Sequence, residues 1–224
     1  MIMPSFLFTG EFSAFEHVFK ERFSNIKRVK KNCTIIDLTD DRSKNCYYVL
    51  SGTASYVLRH ENGYAKVSSL RGPGTIFPLY YTYSSTNMES SLEVTALSNM
   101  ELIDIPKAEL LKLMIEIPRI GIAMCDAYGK YATLLLYDMS SQLFESANIR
   151  VCSYLYIQQL SFGRILQMTH EEIGDVTGIT RATVSKILSD LRKEGIVKTG
   201  RNSITIESPA KLLKYCSYMA SPQA

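Results

Sequence analysis

Apolar positions change rhythm several times along this chain of 224 residues. In residues 11–26, Phe12, Phe15, Val18, Phe19 and Phe23 recur near helical spacing and predict a short amphipathic helix. From about Arg28 to Pro106 the rhythm shortens. The runs CTIIDL, CYYVLSG, ASYVLRH, AKVSSL, LEVTAL and MELIDI are separated by turn signals such as DDRSKN, HENGY and RGPG. Many short strands at regular spacing predict a β-barrel or jelly roll. Asn62-Gly63 suits a hairpin turn with positive φ.

Helical spacing returns from Lys107 to Glu145. Pro118 fits the first turn of a long helix, where its missing N–H costs nothing. Within that helix Ile120, Met124, Ala127, Tyr131 and Leu134 step by 4, 3, 4 and 3, with Asp138 continuing the stripe. The rhythm reads as a coiled-coil seam; the competing reading is one helix packed on its own barrel. A hinge is expected around Phe144–Asn148, followed by a helix over IRVCSYLYIQQL.

The stretch THEEIGDVTGITRATVSKILSDLRKEGIVKTGRNSITI carries the densest local signals. Thr169 and Glu172 form a capping box ahead of Ile173 and Val176. Gly178 permits the left-handed residue that ends the first helix, and Thr180 caps a second. Val184, Ile187, Leu188 and Leu191 form an i, i+3, i+4, i+7 stripe, while Arg181, Ala182, Ser185, Lys186 and Ser189 project from the opposite face. Two short helices joined by a Gly-containing turn make a helix-turn-helix. IVKTG and RNSITI then form two short strands, a wing. That geometry places the start of the second helix in a DNA major groove, where Arg reads guanine bidentately and small hydroxyl side chains suit phosphates. The candidate DNA contacts are Thr169, His170, Thr180, Arg181, Ala182, Thr183, Ser185, Lys186 and Arg201.

Charge supports this division. Residues 147–224 hold ten Lys and Arg against six Asp and Glu, whereas residues 1–146 hold 15 against 16. A basic segment beside a neutral one points to a polyanionic partner. Five scattered cysteines without a CxxC pair suggest neither a zinc site nor a disulfide framework, and a reducing cytoplasm is expected. No run approaches the roughly 18 apolar residues of a membrane helix. The N-terminus lacks the basic start of a signal peptide. His17, His60 and His170 form no cluster with carboxylates in the sequence, so neither a metal enzyme nor a cofactor is expected.

With these residues in place, the chain resembles the Crp/Fnr family of bacterial transcription regulators, most closely over EEIGDVTGITRATVSKILSDLRKEGIV. The resemblance implies an α+β chain. Residues 1–146 would be a jelly-roll sensor resembling cyclic-nucleotide-binding domains, with a dimerisation helix over about 118–145. Residues 147–224 would be a winged helix-turn-helix. It further implies a homodimer on a two-fold symmetric DNA site, governed by a small effector, meeting RNA polymerase if it activates.

The departures narrow the expectation. Members commonly carry Glu where this chain has Ala182, between basic residues matched by Arg181 and Lys186. Losing that acceptor for cytosine N4 implies a half-site unlike the family's TGTGA or TTGAT boxes. The Gly-Glu and Arg-Ser of members that bind cyclic AMP are missing, with Leu79 and Ser90 near the Glu and Arg positions and Leu135 and Leu136 in place of the adenine contacts. The clustered cysteines that hold an iron–sulfur cluster in oxygen-sensing members are missing too. The expected effector is a small organic molecule, aromatic or anionic, held between barrel and long helix by Tyr80, Tyr81, Asn87, Ser90, Tyr128 and Tyr131. PLYYTYSSTNMESS has the flavour of members that sense halogenated phenols. The competing readings are tyrosines that are merely barrel core and surface, a constitutive regulator with a degenerate barrel, and a cysteine-redox switch involving Cys125.

Overall fold

The strand-forming runs assemble into two stacked sheets in a computed structural model that describes residues 6–36, 44–59, 65–78 and 92–217. The hairpin expected at Asn62-Gly63 lies outside the described residues, as do Tyr80, Tyr81, Asn87 and Ser90. Packing divides the chain into one unit of Phe6–Leu134 and another that includes Leu135–Ala224.

In the first unit, β1 (Leu7–Phe8) precedes a 3-10 turn (Ser13–Phe15) and α1 (Glu16–Arg22). Then follow β2 (Ile26–Val29), β3 (Thr34–Ile36), β4 (Asn45–Ser51), β5 (Ala54–Arg59), β6 (Ala65–Arg71) and β7 (Ile76–Phe77). The unit continues with β8 (Leu92–Ala96), β9 (Met100–Pro106), α2 (Lys107–Glu116) and the start of α3 (Pro118–Phe144). One sheet runs β1-β6-β5-β8-β3, the other β2-β9-β4-β7. Apart from the parallel β1–β6 pair, the pairings are antiparallel.

The second sheet is covered on both faces, which explains why Cys46–Leu50 and Leu102–Ile103 are apolar at successive positions. Val49 and Leu102 face the core between the sheets, beside Tyr56, Phe77, Val94 and Met100. Cys46, Tyr48, Ile103 and Ile105 face the other way, onto Phe12, Phe19, Leu110, Leu113, Ile120, Met124 and Ala127. Helices α1, α2 and α3 thus supply a second core on the outside of the sandwich.

Three expectations need correction. The helix expected over residues 11–26 is shorter. Phe23 turns extended, with φ −127° and ψ 113°, and the chain enters β2 at Ile26. Strands β1 (two residues), β2 (four) and β7 (two) were missed; none of them lay in a run that alternation or turn signals had marked as a strand. The stripe Ile120, Met124, Ala127 and Leu134 is no coiled-coil seam. All four side chains are buried, and the first three lie in the core of their own sensor unit. The sheet shields that face, as the competing reading required.

In the second unit, α4 (Ala147–Phe162) starts at Ser146, whose side chain accepts from the Ile149 N–H. Next come β10 (Ile165–Leu166), α5 (His170–Thr177), α6 (Arg181–Lys193), β11 (Val197–Gly200), β12 (Ser203–Ile206) and α7 (Pro209–Leu213). The wing is a three-stranded antiparallel sheet, β10-β12-β11, one strand larger than expected.

Candidate functional site

The helix-turn-helix is built by contacts within a turn or two of chain. Thr169 and Glu172 close the capping box reciprocally: the Glu172 N–H donates to the Thr169 hydroxyl at 3.1 Å, and the Thr169 N–H donates to the Glu172 carboxylate at 2.6 Å. Gly178 adopts φ +67°, the left-handed region that lets α5 stop sharply. Gly174 is required for a different reason. A Cβ there would lie 2.5 Å from the Ile179 carbonyl oxygen, where the turn closes onto α5. Thr180 then caps α6, accepting from the Thr183 N–H at 3.3 Å.

Val184, Ile187, Leu188 and Leu191 of α6 are buried. Arg181, Ala182 and Lys186 are exposed, and Thr183, Ser185 and Ser189 are half-buried. Among the described residues Arg181, Lys186 and Arg201 form no ion pair, so three cations face outward from the second helix and the wing. Several other expected contacts are engaged inside the unit. His170 Nδ1 lies 2.8 Å from Ser185 Oγ, and the hydroxyls of Thr180 and Thr183 bond each other at 2.9 Å.

A cluster that the sequence reading missed sits at the end of α5. Arg150 Nη1 donates to the Thr177 carbonyl at 3.0 Å and to Gln142 Oε1, while Gln142 Nε2 donates to the same carbonyl at 3.2 Å. The close of α3 and the start of α4 are thereby tied to the helix-turn-helix. No local signal marks this cluster, because its members are separated by up to 35 residues.

The true unshielded stripe of α3 is a second series. Ile122, Cys125, Gly129, Ala132, Leu136, Met139 and Leu143 step by 3 and 4 throughout and are all exposed. Their exposure is high for apolar side chains: 61% for Ile122, 62% for Leu136 and 67% for Leu143.

In the sensor unit Tyr128 packs against the helix-facing core. Tyr131 meets Phe8 edge-on at 6.2 Å, and Arg71 lies over its ring at 5.1 Å. Burial pushes the thiols of Cys46, Cys152 and Cys216 up to about 12, which keeps them protonated and unreactive at neutral pH. Cys33 and Cys125 are exposed. Among the described residues no group of three His, Cys, Asp or Glu side chains could hold a metal ion. None of the described helices is long and apolar enough to cross a membrane.

A β-sandwich sensor, a long helix and a winged helix with exposed cations on its second helix define a DNA-binding regulator of transcription. Residues 26–116 match the cyclic nucleotide-binding domain and residues 149–215 match the Crp-like helix-turn-helix domain, and the chain belongs to the Crp/Fnr family. It is 25% identical over 173 residues to the cyclic AMP receptor protein of Thermus thermophilus, covering 77% of this chain and 79% of that relative. Its fold is similar to that of a CooA variant from Carboxydothermus hydrogenoformans, at 20% identity, TM-score 0.77 and coverage of 93% and 99%. It is also similar to CprK complexed with OCPA, at 14% identity, TM-score 0.73 and coverage of 94% and 100%.

Proposed function

We propose that the chain acts as a homodimer on a palindromic DNA site, and that a small organic effector in the sensor unit controls it. The observation that carries the DNA reading is the outward face of α6. Arg181, Ala182 and Lys186 are exposed there, opposite a fully buried stripe. A helix anchored on one face and cationic on the other suits insertion into a major groove.

The second series on α3 supports the dimer. An apolar stripe with heptad spacing that stays exposed among the described residues fits a second copy of the same helix. Two recognition helices about 34 Å apart would then meet successive turns of one DNA face. The cluster of Gln142, Arg150 and Thr177 supports the coupling, because any shift of the end of α3 must carry α5 with it. Effector control is a population shift between matched and mismatched spacings. Contact with RNA polymerase belongs to this reading only if the site lies where the protein activates.

Selection of bound sequences from a random duplex pool tests the proposal, run with and without small aromatic and carboxylic acids. Enrichment of a palindrome supports it, and dependence on one compound supports effector control. Enrichment of an asymmetric single half-site, or of nothing, overturns the dimeric reading.

A further inference from the structure

Among the described residues, the sensor unit buries a cation that has no anionic partner. Arg71, at the end of β6, is 5% exposed. Its guanidinium carbon lies 4.1 Å from the centre of the Phe8 ring, 4.9 Å from that of Tyr56 and 5.1 Å from that of Tyr131. Three strands or helices distant in sequence converge on it: β1, β5 and α3. Among the described residues no carboxylate comes within ion-pair distance. Glu11, whose side chain is 7% exposed, pairs with Lys130 at 3.4 Å instead. Arg71 Nε is buried with no hydrogen-bond partner. Two positions earlier, on the same face of β6, Ser69 is fully buried and its hydroxyl is also unpartnered.

Ring faces stabilise a guanidinium above and below its plane, but they accept nothing from the N–H groups at its edge. A buried charge without a counter-ion is costly, and an arginine kept there among aromatic rings calls for one. Planar guanidinium edges match oxyanions bidentately.

We infer that Arg71 and Ser69 form an anion-binding site for the carboxylate or phosphate group of the effector. The inference rests on the proposed effector reading and deepens it. The anchoring arginine comes from β6, whereas the family's usual phosphate-binding position holds Ser90. Tyr131 joins that anchor to α3, so occupancy of the site bears directly on the helix.

The test uses the full chain labelled with 15N-arginine and follows the Arg71 Nε–H resonance. It is titrated to tens of millimolar with benzoate, with inorganic phosphate and with benzamide, the neutral analogue of benzoate. The expected result is a saturable shift with benzoate or phosphate, and none with benzamide. Whichever of the two anions binds more tightly identifies the group as carboxylate or phosphate. Arg71→Met should abolish anion binding and Arg71→Lys should weaken it roughly tenfold or more, since Lys lacks the fork. No shift with either anion, or an equal shift with benzamide, overturns the inference even if both variants misfold. DNA binding is measured in parallel. Anion binding at Arg71 that leaves DNA affinity unchanged keeps the site and overturns the effector reading; absent anion binding with intact palindrome binding does the reverse for the site alone.

Discussion

His170 and Ser185 join the two helices of the DNA-binding motif. His170 Nδ1 and Ser185 Oγ are 2.8 Å apart, and the Ser185 hydroxyl also lies 2.9 Å from the Arg181 carbonyl. The pair holds the start of α5 against the start of α6, where DNA would be read. Ser185→Ala is expected to cost about 1 kcal/mol of stability and to weaken DNA binding evenly across sequences. Denaturant unfolding and binding titrations check this. Altered base preference at full stability would mean that Ser185 reads a base itself.

Arg181 and Ala182 carry the expected sequence preference. Arg181→Ala should lose about 1–3 kcal/mol and relax selection at one base pair. Equal loss on every sequence would assign Arg181 to phosphate. Ala182→Glu should move selection toward a cytosine-containing family box, since Glu accepts from cytosine N4. Repeating the pool selection with each variant reads both outcomes.

The two stripes of α3 have separable roles. Leu136→Glu or Met139→Glu should yield a monomer in sedimentation equilibrium with an unchanged sensor fold. Ile120→Ala should leave the dimer intact while destabilising the sensor by about 2–5 kcal/mol through a core cavity. Mild oxidation should cross-link two copies through exposed Cys125, and Cys125→Ser should remove that product. A dimer that survives both acidic variants would place the interface elsewhere.

Gly174 and Gly178 are expected to differ in their tolerance of Ala. At Gly174 the added methyl meets the rigid Ile179 carbonyl at 2.5 Å, so the turn must open. At Gly178 it meets the Gln142 side-chain amide at 3.0 Å, a flexible group whose displacement gives up its bond to the Thr177 carbonyl, and the left-handed backbone penalty adds to that. Gly174→Ala should therefore lower Tm more than Gly178→Ala; the reverse order would mean that backbone strain outweighs the clash.

Stability should decline in alkali. Cys46, Cys152 and Cys216 ionise at about 12 when folded, against an ordinary value of 9.0. Burial likewise raises the phenols of Tyr48, Tyr137 and Tyr154. Below about pH 9 both states keep the thiol protons, and the folded state bears no penalty. Between about pH 9 and 12 the unfolded chain releases protons that the folded chain retains, so unfolding is favoured. Denaturant midpoints measured across that window check the sign, and Cys46→Ala should flatten the slope for the sensor unit.

The helix-turn-helix was legible in the sequence because each of its signals acts within a few residues. The Thr169–Glu172 capping box, the left-handed Gly178 and the Val184–Leu191 stripe all depend on local backbone geometry, and each stands where the sequence reading put it. The strands were legible where they lay in runs bounded by turn signals, including β3, β11 and β12 at only three or four residues. The role of α3 was not. The helix carries two series of apolar or small residues at steps of three and four, one beginning at Ile120 and the other at Ile122, and periodicity cannot say which face a distant sheet will cover. Burial against Tyr48, Ile103 and Phe12 decided that, since those residues come from strands and turns far away in the chain. Arg71 likewise reads as an ordinary polar strand end. Only the convergence of Phe8, Tyr56 and Tyr131 removes it from water, and a contact among residues up to 123 positions apart leaves no trace in local spacing.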